Sequence, residues 1–144
     1  MRDNVHNLAF RVAIAPPATA VADNTPMVGN WIDRSGFESL TFGITTGALA
    51  SGAATFTVLV EDADAADHSD AAAVPDVGLI SSVAGVAPEA AAGFTFADHN
   101  VTKKIGYIGN KQFARITITP AANASAAPIT AVAVLGHANL RPVA

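Results

Sequence analysis

An all-β fold, a jelly-roll-like antiparallel β-sandwich of about eight short strands in a single domain, is what this 144-residue sequence predicts. Three observations predict it. Apolar and polar residues alternate with a period of two through residues 37–45, 55–60 and 113–119, which is the signature of strands with one wetter face. Clusters of Gly, Pro, Asn and Asp punctuate the chain between such runs. Only two stretches suit even one or two helical turns.

Residues 8–15 make the first strand, stopped by Pro16-Pro17. A loop of small residues follows, then a short strand over 28–32 around Trp31, then a turn at Asp33-Arg34-Ser35-Gly36. In 37–45, Leu40, Phe42 and Ile44 share one face, while Ser39, Thr41 and Thr45 share the other. In 55–60 the apolar set is Phe56, Val58 and Val60. Residues 61–75 are acidic and alanine-rich, and 69–74 suit a short helix with Ser69 or Asp67 as N-cap. A weak strand at 77–82 precedes a single helical turn at 88–93, opened by Pro88 and closed by Gly93. Strands then follow at 94–96, 103–108, 113–119 and 129–136. Gly109-Asn110, between two β-rich runs, signals a hairpin. The last strand differs from the others. Ile129, Ala131, Ala133 and Leu135 fill one face, and Val132 and Val134 fill the other. A strand apolar on both faces needs cover on both sides. One cover is the domain's core, and the other is either more of this chain or another molecule.

Composition narrows the functional classes. Charged residues are 14%, against about 25% in an ordinary soluble domain, so part of the surface suits burial in an assembly. A net charge of −4 and scattered Lys and Arg argue against a nucleic-acid partner, which selects a basic stripe. No apolar run reaches the ~18 residues of a membrane span, and the first residues lack a signal peptide's hydrophobic segment. Without cysteine there are no disulfides or thiolate metal sites, which suits a reducing cytoplasm.

The densest polar constellation is Glu61-Asp62-Ala63-Asp64-Ala65-Ala66-Asp67-His68-Ser69-Asp70. Clustered carboxylates suit a hard cation such as Ca²⁺, but Asp67 stands where an EF-hand needs glycine and Ala73 where it needs glutamate. A solvated loop is the plainer reading. His6, His68, His99 and His137 lie far apart in sequence, with no two-histidine metal spacing. No nucleophile elbow, phosphate-cradling loop or dinucleotide fingerprint occurs. No catalytic residue, cofactor site or metal site is therefore assigned, and no enzymatic activity is expected. Trp31 and Tyr107 are few for a sugar-stacking surface. Arg2, Arg11 and Arg34, with their forked donors, join His6, Val132 and Val134 as candidate assembly residues.

Three blocks resemble a family of small proteins encoded by tailed phages and prophages: Ser35-Gly-Phe-Glu-Ser-Leu-Thr-Phe, Thr55-Phe-Thr-Val-Leu-Val-Glu-Asp-Ala-Asp, and Lys104-Ile-Gly-Tyr-Ile-Gly with Phe113-Ala-Arg-Ile-Thr-Ile-Thr-Pro-Ala. The match ends at Ala131-Val-Ala-Val-Leu-Gly-His137 and spans about residues 35–137. Such proteins look like products of the head-structure module and are similar to capsid decoration (cement) proteins. The resemblance implies a homotrimer on the capsid exterior, made in the host cytoplasm, whose partners are the major capsid protein and itself. It implies neither nucleic acid nor membrane as partner. An N-terminal arm over about 1–7 and a short tail over about 138–144 flank the domain. The alternatives are another virion subunit, at the head–tail joint or the tail, and a carbohydrate-binding jelly roll on the particle surface.

Overall fold

The computed structural model describes residues 3–17 and 20–143. Among these residues eleven strands form two antiparallel sheets packed face to face. They are β1 (Ala9–Ile14), β2 (Met27–Val28), β3 (Ile32–Asp33), β4 (Phe37–Thr46), β5 (Thr55–Ala63), β6 (Ala72–Ala73), β7 (Leu79–Ile80), β8 (Phe94–Thr95), β9 (Thr102–Tyr107), β10 (Phe113–Ala121) and β11 (Ile129–Ala138). One sheet runs β1-β11-β4-β9-β7, and the other runs β2-β10-β5-β6, with β3 also on β10 and β8 also on β5. If β2 and β3 count as one strand and the two-residue β7 and β8 as additions, the orders become first-eighth-third-sixth and second-seventh-fourth-fifth. Nearly every connection then crosses between sheets, which is the jelly-roll path.

The predicted inward faces are the observed ones. Leu40, Phe42 and Ile44 from β4, Phe56 and Val60 from β5, Ile116 and Ile118 from β10, and Ile129 and Leu135 from β11 are all sealed in one core. The single helical turn forms as α1 (Pro88–Ala92), with Pro88 in its first turn and the Gly93 N–H closing onto the Glu89 carbonyl at 2.9 Å.

Three local expectations are corrected. The first is the hairpin at Gly109-Asn110. β9 lies beside β4 and β7, while β10 lies beside β5, β2 and β3, so residues 108–112 cross from one sheet to the other. Gly109 is there for space, because a Cβ would sit 2.4 Å from the Tyr107 hydroxyl oxygen. The second is the helix over 69–74. Asp67 does accept hydrogen bonds from the Ser69 N–H (3.2 Å) and Oγ–H (2.8 Å), but the turn it makes leads into β6. There Ala73 and Ala72 pair with Glu61 and Asp62 of β5, so strand pairing overrides alanine's helix propensity. The third is the strand over 28–32, which splits into β2 and β3. Between them Gly29 presses against the Ile116 carbonyl, where a Cβ would come within 2.4 Å of the oxygen. The Asn30 N–H reaches across to the Ala13 carbonyl of the other sheet at 2.7 Å.

Candidate functional site

The acidic run closes on itself. Asp62, at the inner end of β5, is buried and accepts the Tyr107 hydroxyl proton at 2.8 Å, with the Lys111 ammonium 3.3 Å from its other oxygen. Asp64 accepts the Gln112 N–H at 3.0 Å. Asp70 accepts the N–H groups of Asp64 (2.9 Å) and Ala65 (3.0 Å) and lies 3.7 Å from Lys111. Those two N–H groups, then Lys111, hold the Asp70 carboxyl below its ordinary range. Glu61 pairs with Arg115 across the strands at 2.7 Å. Asp62 and Asp70 share the Lys111 ammonium, while Asp64 and Glu61 are held by Gln112 and Arg115, so the cluster is satisfied by donors of the chain itself. Among the described residues no group of three His, Asp or Glu is placed to hold a metal ion.

Arg34 completes this lock from the far side. Its Nε–H and Nη2–H donate to the Lys111 carbonyl (3.1 and 2.9 Å), Nη2 also reaches the Gly109 carbonyl (3.0 Å), and the guanidinium lies 4.8 Å over the Tyr107 ring. Burial, and then the bond to Asp62, push the Tyr107 phenol far above its ordinary value. The lock therefore fastens the 108–112 crossover to both sheets. A cleft of about 480 Å³ beside it is lined by Asp62, Val74, Val77, Ile108 and Lys111, among others.

A second cluster was not legible in the sequence. On the outer side of the six-stranded sheet, Trp31 stacks on His68 (centroids 4.5 Å apart, planes 4° apart), and Phe113 meets His68 edge-on at 4.9 Å. The Arg115 guanidinium lies 4.5 Å from the centre of the Trp31 ring. His68 adopts a left-handed φ of 57°, and its Nε2 is buried without a hydrogen-bond partner. With His68 and Arg115 both on its ring, Trp31 offers little free face to a sugar. The only advance signal was that Phe113 and Arg115 share the outward face of β10.

The other candidate residues are dispersed. Arg2 lies outside the described residues. His6 is exposed, with Nδ1 2.5 Å from the Asp3 carboxylate, and its carbonyl accepts the Val143 N–H at 3.1 Å. The two terminal segments thus lie side by side around a cleft of about 600 Å³ that Arg141 also lines. Arg11 is exposed on the edge strand β1, and its Nη1–H donates to the Phe10 carbonyl at 3.1 Å. His99 and His137 sit apart, beside the Phe96 carbonyl and the Ser39 hydroxyl respectively.

Val132 and Val134 point out of the five-stranded sheet, away from the core, and Val132 is 37% exposed. The register groups the outward residues into rows across the strands. One row runs Phe10, Val134, Thr41, Gly106, Ile80, and the next runs Val12, Val132, Gly43, Lys104. Phe10, Val12 and Ile80 are 58%, 55% and 52% exposed. Among the described residues, none supplies the second cover that the final strand calls for. An apolar face this continuous, with a single charge in those rows, is unusual on a free monomer.

No protein family matches this sequence, and no curated protein does. Among solved structures, the SPBc2 prophage-derived protein YomS is similar over 90% of this chain and 92% of its own, with a TM-score of 0.53 and 8% identity. At that identity the likeness is one of fold. The N-terminal CBM22-1–GH10 portion of Clostridium thermocellum xylanase 10B, crystallised with xylohexaose, aligns over 98% of this chain and 28% of its own, at a TM-score of 0.43 and 11% identity.

Proposed function

We propose that this protein is a structural subunit of a phage particle, a decoration protein that binds the outside of the assembled capsid and stabilises it without doing chemistry. The observation that carries the reading is the outer face of the five-stranded sheet, apolar and almost uncharged, on a molecule whose clustered carboxylates are engaged internally. That is the profile of a subunit built to be covered. The phage-family resemblance of residues 35–137 and the prophage origin of a protein with a similar fold favour a virion as the setting. A protein that binds the assembled shell and not its separated parts stabilises the shell by mass action alone.

The shell contact falls to the terminal segments, where Val5 and Leu140 stand 78% and 85% exposed beside His6 and Arg141. The test is co-sedimentation of the purified protein with undecorated shells of the phage or prophage that encodes it, followed by heating of the decorated shells. Saturable binding and a higher disruption temperature are expected. Protein that stays in the supernatant at every concentration overturns the reading. The mass of the free protein distinguishes a three-copy unit, which the resemblance implies, from a two-copy one.

A further inference from the structure

We infer that Arg11 and the Gly29-Asn30 corner guard β1, the long edge strand, and keep free copies of this protein from pairing edge to edge. The strand's own sequence sets the hazard. Ala9-Phe-Arg-Val-Ala-Ile14 has no proline, no glycine and a single charge, and Phe10, Val12 and Ile14 favour extended backbone. A segment of that kind on an open sheet edge is a template for pairing with another chain. The other edges are short or covered. β2, β3, β6, β7 and β8 are two-residue strands, and α1 packs against β9 and β5. β1 runs for six residues, and among the described residues its strand partner is β11 alone. It is the edge where the fold needs a guard.

Three features close that edge. The first is a bulge. Val12 lies opposite Val132 and Ile14 opposite Ala131, so Ala13 is an extra residue that interrupts the ladder and bends the strand. The second is Asn30. Its Nδ2–H donates to the Val12 carbonyl at 3.1 Å and its N–H to the Ala13 carbonyl at 2.7 Å, so one residue takes two successive acceptors. Gly29 makes the approach possible, because its N–H donates to the Ile116 carbonyl at 2.9 Å and a Cβ there would come 3.0 Å from the Ala13 oxygen. The corner is thereby stitched to β10 of one sheet and β1 of the other. The third is Arg11, whose Nη1–H donates to the Phe10 carbonyl at 3.1 Å. Carbonyls two residues apart leave a strand on the same side, so the acceptors of Phe10 and Val12 that a new strand would need are both engaged. Arg11 also alternates with the outward Phe10 and Val12, which turns it toward the gap between the sheets. There it lines a cleft of about 310 Å³ with Val12, Asn30, Trp31, Ile32 and Asp33. A strand added to β1 would close that opening and strip water from a guanidinium, which is costly without a well-placed carboxylate.

The test uses the free protein, and no arm of it reads shell binding, so its outcome is separate from the capsid reading. Arg11→Val combined with Asn30→Ala removes both side-chain caps, and both residues are exposed, so the variant should keep the wild-type circular dichroism. Held concentrated, it should grow into open-ended oligomers by light scattering, while Arg11→Lys and Arg11→Glu keep the wild-type mass. Loss of Arg11 makes a chain of net charge −4 more negative, so this growth runs against charge repulsion. Within the oligomers, amide exchange over residues 9–14 should slow roughly tenfold relative to the same variant diluted, because pairing protects the edge amides. Arg11→Val alone should grow more slowly than the double variant, and it carries the test if the double variant does not fold. Thr57→Val adds an apolar side chain on the other sheet, away from β1, and should keep the wild-type mass. Arg11 variants that hold the wild-type mass, oligomers whose 9–14 amides exchange as fast as in the diluted variant, or equal growth of Thr57→Val each overturns the proposal.

Discussion

Tyr107→Phe removes one oxygen from the centre of the molecule and leaves the ring in place, so it isolates the lock without opening a cavity. The lost hydroxyl donates to Asp62 at 2.8 Å and accepts the Lys111 N–H at 3.3 Å. Asp62 is 8% exposed, so water cannot freely replace the donor. A hydrogen bond to a charged group contributes ~1.5–3 kcal/mol, and a carboxylate left without its buried donor sits at the upper end of that range. Lys111, 3.3 Å from the other carboxylate oxygen, remains and offsets part of the loss. The expected cost is therefore ~2 kcal/mol, which for a chain of this size lowers Tm by roughly 4–8 °C. Urea unfolding should show this as a lower midpoint at unchanged m. Lys111→Met, alone and combined with Tyr107→Phe, completes a cycle whose coupling should exceed ~0.5 kcal/mol if the two residues share Asp62. A loss below ~0.5 kcal/mol for Tyr107→Phe would refute the idea that this bond fastens the crossover.

Four further outcomes follow from the same geometry. Gly109→Ala should destabilise by about 1–3 kcal/mol in thermal melts, because its Cβ collides with the Tyr107 hydroxyl, which cannot retreat without leaving Asp62. Tyr107 is the only tyrosine, and its phenol is pushed up in the folded state, so the native protein should show no phenolate absorbance in mild alkali. The fold holds that proton while the unfolded chain releases it, so stability should fall as pH rises above 10.0. Burial raises Glu89 above its ordinary 4.5, outweighing the Val60 N–H it accepts, with Asp76 adding to the rise. Folding therefore favours its protonated form, and stability conferred below 4.5 is lost as pH rises past that value. Glu89→Gln should flatten this slope in pH-dependent urea titrations and be at least as stable as wild type at neutral pH. Removing residues 1–7 should weaken co-sedimentation with shells more than it lowers Tm, and unchanged co-sedimentation would show that the shell contact lies elsewhere.

Period-two alternation within single segments already identified the strands and their inward faces. Leu40, Phe42 and Ile44, or Ala114, Ile116 and Ile118, face the core because a pleated strand sends every second side chain the same way, whatever its partner. The two-sided final strand was legible for the same reason, as was the helical turn between Pro88 and Gly93. What alternation cannot carry is which strand lies beside which. Gly109-Asn110 satisfies the local chemistry of a hairpin, yet the chain crosses between sheets there, because Tyr107 lies over Gly109 and Arg34 grips the carbonyls of Gly109 and Lys111. The alanines at 72–73 suit a helix until β5 offers its edge. Asp62 with Lys111, and Trp31 with His68 and Arg115, are pairings between residues 37 to 84 positions apart, which only the folded chain brings together. The outward row from Phe10 to Ile80 is likewise a product of register across five strands. Local periodicity thus decided what is buried, while tertiary pairing decided what is locked and what is left uncovered.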